Sequence, residues 1–352
     1  MADWRKNLRV VDPYIPGEQP KQDDMIKLNT NENPYPPAPG VEKVLKSMET
    51  GDFRLYPKPD ARELVDALAA EYGVPANQVF VGVGSDDVLG MAFLTCFNGE
   101  KEILFPDITY SFYPVWADLF KIPYKCPALD ENFRIKKEDY FTENGGIVIA
   151  NPNAPTSIAL PLTDVEEIIA KNPDSVVIVD EAYVDFGGES ALPLVEKYDN
   201  LLVVQTFSKS RSMAGMRIGF AIGNKELIDA MYAVRNSYNS YTMNMPSILC
   251  GTEAVKDRAY FEKTTKAIME TREDVAKKLT ALGFTVLPSS TNFLFASHRS
   301  VPAEELFLML REKHIYVRYF KSPRINNYLR ITIGTSEQMA KFLEKVEKYL
   351  AK

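Results

Sequence analysis

The chain has 352 residues, 45% hydrophobic and 25% charged, a composition expected of a soluble globular protein long enough for two domains. Its net charge of -7, without any basic cluster, argues against nucleic acid and anionic membrane as main partners and leaves small molecules. No apolar run approaches the roughly 18 residues of a membrane helix, and the opening MADWRKNLRVVDPY lacks an apolar signal core, so a cytoplasmic location is expected.

The Pro- and Asn-rich stretch from Asn29 to Pro37 reads as irregular chain. A helix follows Asp60: Leu64, Val65, Leu68, Ala69 and Tyr72 fall on one face, Asp60 can cap its start and Gly73 can close its end. Seven short apolar runs come next, VFVGVG, EILFPD, PYKC, GIVIANP, VVIVDEAY, LLVVQTF and RIGFAIG, separated mostly by helix-like stretches. Continuous β-branched runs of this length suit strands buried on both faces, hence an α/β architecture with a mainly parallel sheet. From Pro246 to about Leu282 the pattern is helical and long. FTVLPSS, NFLFASH, IYVRYF and YLRITIG then alternate with helices, which predicts a smaller α+β unit. The expected division is an arm over 1–30 that packs with the small domain, a large domain over 31–245 and a small one over 246–352. Cys96, Cys126 and Cys250 have no CxxC spacing and read as buried thiols. With only His298 and His314, a His-rich metal site and a Ser-His-Asp set are both unpromising.

In open parallel sheets ligands sit beyond the carboxyl ends of the strands, so the residues there matter most. After VFVGVG comes Gly84-Ser85-Asp86-Asp87, readable either as a phosphate-holding turn and helix N-terminus or as a Ser N-cap on a tight glycine turn. Asp180 follows the run VVIV at 176–179 and could ligate a metal, cap the chain or pair with a ligand cation. Ser208 and Lys209 end another, where a lone lysine would ordinarily be a solvated surface residue. Taken together, an amine, a carboxylate, the Tyr183 phenol and a phosphate nest at one crevice are what pyridoxal phosphate requires. A P-loop is excluded, since no GxxxxGK[ST] surrounds Lys209.

NPNAPTS at 151–157, DEAY at 180–183, TFSKSRSMAGMRIG at 206–219 and YLRITIGT at 328–335 resemble the fold type I pyridoxal-phosphate-dependent aminotransferases. With DPY at 12–14, LNTNENPYP at 28–36 and Tyr56-Pro57, the likeness is nearest to the histidinol-phosphate aminotransferase family, and it spans nearly the whole chain in family order. The resemblance implies a seven-stranded large domain, a pyridoxal 5'-phosphate cofactor, a homodimer, and transamination of L-histidinol phosphate with 2-oxoglutarate in L-histidine biosynthesis. It makes Lys209 the residue that condenses with the cofactor aldehyde, Asp180 the partner of the pyridine nitrogen and Tyr183 the donor to the ring oxygen. Tyr110 would stack on the ring; Ser85, Asp86, Thr206, Ser208 and Arg217 would surround the phosphate; and Tyr56 would reach the neighbouring subunit's cofactor. Arg318 and Arg330 would bind substrate anions beneath Tyr14. A departure stands out: the family asparagine before Pro-Thr is Ala154 and the closing glycine is Ser157, so the ring-oxygen contact falls either to a shifted Asn153 or to Tyr183 alone. Other readings share the scaffold: a threonine-phosphate decarboxylase, which breaks Cα–C in place of Cα–H, and a broad aromatic aminotransferase. A non-catalytic binding protein would have no need of both Lys209 and Asp180.

Overall fold

The computed structural model describes residues 3–22 and 24–351. All seven apolar runs form strands of one sheet, in the order Val79–Gly82, Gly219–Gly223, Leu201–Thr206, Val177–Asp180, Gly146–Ala150, Ile103–Leu104 and Tyr124–Lys125. Neighbours pair in parallel except around Gly219–Gly223, which is antiparallel to both of its partners. The inversion follows from the short return between Thr206 and Gly219: Phe207 N–H donates to the Ile218 carbonyl at 3.0 Å, too tight a loop for a crossover helix.

Both faces are covered, as the unbroken apolar runs require. Val177, Val179, Leu201 and Val203 enter one core; Ile178, Leu202 and Val204 enter the other, across the period of two. The helix expected after Asp60 spans Arg62–Tyr72 and buries Leu64, Val65, Leu68 and Ala69. Asp60 Oδ1 accepts from Arg62 N–H at 3.3 Å, and Gly73 closes the helix at φ 66°. Cys126 corrects the expectation of buried thiols: the edge strand ends at Lys125 and the next residue is on the surface, whereas Cys250 is buried.

A second core surrounds a five-stranded sheet ordered Ile26–Leu28, Ile315–Tyr319, Leu329–Thr332, Phe293–His298 and Phe284–Val286. Its first strand comes from the arm and pairs in parallel with Ile315–Tyr319, so a segment before the large sheet is held by one after it. The helix Met245–Lys256 contributes Ile248, Cys250 and Ala254 to the core of the large sheet, and the 24-residue helix Arg258–Ala281 continues onto the small one. No described helix is long and apolar enough to cross a membrane.

Arg272 on that long helix ties the two units together. Its buried Nη1 donates to the Phe186 carbonyl at 2.7 Å and to the Thr291 carbonyl at 2.8 Å. Arg272→Met keeps the apolar stem but leaves two carbonyls in a dry contact without donors. It should lower the unfolding free energy by about 2–4 kcal/mol, read by chemical denaturation. An unchanged midpoint would mean that water replaces the guanidinium there.

Candidate active site

The strand ends converge with the Asn29–Asn33 segment on a cleft of about 390 Å³. Tyr14, Ser85, Asp86, Tyr110, Asp180, Tyr183, Thr206, Ser208, Lys209, Arg217, Arg318 and Arg330, all singled out from the sequence, line it. Tyr56 does not. Its ring is exposed and leans on Tyr241, with centroids 4.6 Å apart.

Asp180 is the last residue of a central strand and is 4% exposed. Its Oδ2 accepts from Tyr113 Oη at 2.7 Å and its Oδ1 from Ala182 N–H at 3.2 Å. No described cation pairs with it. Burial therefore pushes its carboxyl up to about 6, although both hydrogen bonds pull the other way. Glu181, one residue on, points to the opposite face. It accepts from Ser190 Oγ, Ala191 N–H and Gln205 Nε2, and burial raises it to about 7. The strand's alternation thus assigns one carboxylate to the cleft and its neighbour to the frame.

Lys209 lies just past Leu201–Thr206. Its Nζ donates to the Thr30 carbonyl at 3.2 Å and sits 5.8 Å from the centre of the Tyr183 ring. Asn33 Nδ2 donates to the Lys209 carbonyl at 2.9 Å and fixes the backbone beneath the amine.

The opposite wall is a cradle for an anion. Gly84 precedes the helix Ser85–Cys96 at φ 84°, so Ser85 is the first helical residue and not its cap. Gly84 is favoured as glycine by its backbone, at φ 84° and ψ 165°, where a side chain would be strained; a Cβ would also displace the Arg217 guanidinium. Gly219 must be glycine, since a Cβ would fall 2.3 Å from Ser85 N. This close approach brings the helix N-terminus, with its unpaired N–H groups, beside Thr206, Ser208 and Arg217. Arg217 Nη2 donates to Asp86 Oδ2 at 3.1 Å, and Tyr110 Oη donates to Asp86 Oδ1 at 2.8 Å. Tyr14, on the arm, stacks on Phe112 at 4.4 Å and closes that side of the cleft.

Arg318 and Arg330 face each other across the antiparallel pair Ile315–Tyr319 and Leu329–Thr332. Like charges so placed repel unless an anion lies between them. Arg330 Nη2 donates to the Asn29 carbonyl at 3.0 Å, but its buried Nε has no described partner. Burial, then Arg318, pulls its pKa down, against Tyr183, which favours its charge. Buried Thr30 Oγ1 also lacks a partner.

Asn29, Thr30, Asn31 and Asn33 were missed as functional residues when read only as irregular chain. Four short polar residues in five positions, stopped by Pro34, carried a signal: such a segment forms no ladder and must spend its polar groups elsewhere. Of the two replacements open for the contact absent at Ala154, the shift of Asn153 would break three side-chain hydrogen bonds. Asn153 is buried, accepts from Thr109 Oγ1 at 2.7 Å, and donates to the Ile108 carbonyl and Thr156 Oγ1, each at 2.9 Å.

These groups fit pyridoxal 5'-phosphate: a buried carboxylate without a cation suits a ring nitrogen, a primary amine suits an aldehyde, and a helix N-terminus with hydroxyls and an arginine suits a phosphate. Comparison with known proteins agrees. A family model for class I and II aminotransferases matches residues 23–346. A histidinol-phosphate aminotransferase of Lactococcus lactis subsp. cremoris (strain SK11) is 51% identical over 347 residues, 99% of this chain and 98% of the relative. Among solved structures, a putative histidinol-phosphate aminotransferase from Erwinia carotovora atroseptica superposes with a TM-score of 0.85 at 25% identity, covering 95% of this chain and 98% of its own. The histidinol-phosphate aminotransferase of Sinorhizobium meliloti, in complex with pyridoxal-5'-phosphate, gives 0.85 at 21% identity, with 93% and 91% covered.

The raised carboxyl of Asp180 has a measurable cost. The folded state holds its proton between the ordinary value of about 3.9 and about 6, so the cost of ionisation accrues as pH rises through that window and is constant above it. An asparagine can accept from Ala182 N–H and donate to Tyr113 Oη. Asp180→Asn should therefore stabilise the cofactor-free protein by about 2–3 kcal/mol at pH 7.5, with no gain near pH 4. Denaturation at the two pH values decides the matter; equal stability at both would mean the carboxylate is already compensated.

Proposed function

The chain belongs to the class I and II aminotransferase family, and from that premise we propose that it exchanges the amino group of L-histidinol phosphate with 2-oxoglutarate. The products are imidazole acetol phosphate and L-glutamate, and the step belongs to L-histidine biosynthesis in the cytoplasm. The observation that carries this reading is the facing pair Arg318 and Arg330, with an unpartnered buried Nε, in the cleft that also holds Lys209. One substrate offers a phosphate and the other two carboxylates, and a guanidinium fork meets either with paired charge-assisted bonds.

Bound pyridoxal 5'-phosphate supplies an aldehyde that condenses with amines and a cationic ring that accepts the electrons released at the substrate's Cα. The protein's own groups do the rest. Asp180, oriented by Tyr113 and Ala182 N–H, would keep the ring nitrogen protonated and have its own buried charge matched by it. Lys209 would hold the aldehyde carbon and, with its amine freed by the substrate's, would take the Cα proton on Nζ and return it to the carbon on the far side of the substrate nitrogen. Tyr183 would donate to the ring oxygen and Tyr110 would cover the ring. Ser85, Asp86, Thr206, Ser208 and Arg217, which line the cleft, would hold the phosphate. Tyr14 excludes water from above. Exposed Tyr56 would reach the cofactor of a second copy, making the working unit a homodimer.

The assay that separates the alternatives supplies the holoenzyme with histidinol phosphate, phenylalanine or threonine phosphate, and follows glutamate formation and carbon dioxide release. Glutamate formed from histidinol phosphate at the highest kcat/KM supports the reading, whereas carbon dioxide from threonine phosphate would make the protein a lyase. Lys209→Ala should abolish the lysine-linked visible absorbance and cut turnover by at least roughly 10²–10⁴-fold, the span of a general acid–base group. Arg330→Lys keeps the charge and loses the fork. It should leave the absorbance intact and raise KM for 2-oxoglutarate by about one to two decades, the worth of one charged hydrogen bond.

A further inference from the structure

The hydrogen bonds around Asn31 fix the direction of each proton in a short chain. Asn31 N–H donates to Thr332 Oγ1 at 3.0 Å, so that hydroxyl is an acceptor on this side. Thr332 Oγ1 in turn donates to Asn31 Oδ1 at 3.0 Å, which settles the orientation of the amide. With its oxygen turned to Thr332, the amide presents Nδ2 to Tyr183 and donates to Oη at 2.8 Å. The Tyr183 oxygen is thereby an acceptor toward Asn31. No described residue accepts its O–H, and Tyr183 lines the cleft. The arrangement is held firmly. Asn31 is 1% exposed, its backbone sits at φ 56°, and Asn292 Nδ2 donates to its carbonyl at 2.9 Å. Phe293 meets the Tyr183 ring edge-on at 5.1 Å. Ala154, on the same cleft, has no polar group to offer, and Asn153 is fully engaged away from it.

We propose that Asn31 is a positioning residue that, braced by Thr332, obliges Tyr183 to direct its one hydroxyl proton into the cleft, at the anionic ring oxygen of the bound cofactor. This rests on the cofactor reading above. Without the amide, the phenol could turn and donate into the protein, for instance to a backbone carbonyl, and the ring oxygen would lose its donor. A donor on that oxygen withdraws negative charge from it and weakens its hold on the proton shared with the Lys209-linked nitrogen. That proton then leaves at lower pH.

The test is a pH titration of the lysine-linked visible absorbance of the holoenzyme without substrate, which reads the proton and not turnover. Asn31→Gly deletes only the amide, because glycine tolerates the positive φ and keeps the backbone bonds to Thr332 and Asn292. Tyr183→Phe sets the full effect: its midpoint should rise by about one to two pH units, the worth of a hydrogen bond to a charged group. Asn31→Gly should raise the midpoint in the same direction by roughly half a unit or more. The double variant should match Tyr183→Phe alone, since the amide acts only through the phenol. A wild-type midpoint in Asn31→Gly overturns the proposal, as does a shift that persists in full on the Tyr183→Phe background. Should the glycine variant fail to fold, Thr332→Val, which removes the donor that orients the amide, must give an upward shift or the proposal falls. A parent protein that forms no lysine-linked absorbance would remove the cofactor reading itself; formation with unmoved midpoints removes only the role of Asn31.

Discussion

A carboxylate held at the end of a central strand, out of water and without a cation, is the constraint on which the rest of the site depends. Asp180 is there because Val177–Asp180 runs through the middle of a sheet covered on both faces, so its terminal side chain has nowhere to go but the cleft. Tyr113 and Ala182 N–H are satisfied by it but carry no positive charge. Glu181 is buried in the same way but faces the frame; what distinguishes Asp180 is that it lines the cleft, where a ligand cation could offset the cost of its charge.

The other groups are arranged around that point by the geometry of parallel strands. Val177–Asp180 and Leu201–Thr206 pair in parallel, so their carboxyl ends open on the same side and place Asp180 near Lys209. The antiparallel strand Gly219–Gly223 starts beside Thr206, which leaves Arg217, two residues before it, at the same edge, and the absence of a side chain at Gly219 lets the Ser85 helix terminus come close. One sheet edge thus holds groups for an aldehyde, a ring nitrogen and a phosphate, while the small sheet adds two arginines from above.

Much of this was legible in the sequence because it follows short-range rules. The unbroken apolar runs from Val79 to Gly223 specified strands buried on both faces, and Asp180 and Lys209 could be located by counting to the ends of those strands. The direction of Gly219–Gly223 was not legible, because a strand of either polarity has the same residues; only the tight return at Phe207 and Ile218 decides it. Cys126 was misjudged because composition says nothing of which strand lies at the edge. The run of short polar residues around Asn31 marked the segment, but the role of Asn31 itself was hidden for a different reason. Its partners, Tyr183, Asn292 and Thr332, are all remote in the chain, and hydrogen-bond direction is set by their meeting and not by any spacing.

That remoteness has a consequence for how the protein is made. Asn31 and Thr332 are 301 residues apart, and the arm strand Ile26–Leu28 waits for Ile315–Tyr319 over nearly the same interval. At the usual pace of synthesis, about 5–20 residues per second, the first strand of the small sheet spends roughly 15–60 s on the ribosome without its partner. Apolar residues such as Leu28, fully covered in the finished fold, are exposed throughout that time. The large sheet, whose seven strands lie between Val79 and Gly223, can assemble first. The cleft therefore cannot be completed until Arg330 and Thr332 have been made, and the nascent arm is a segment that a cell must keep from pairing with the wrong edge.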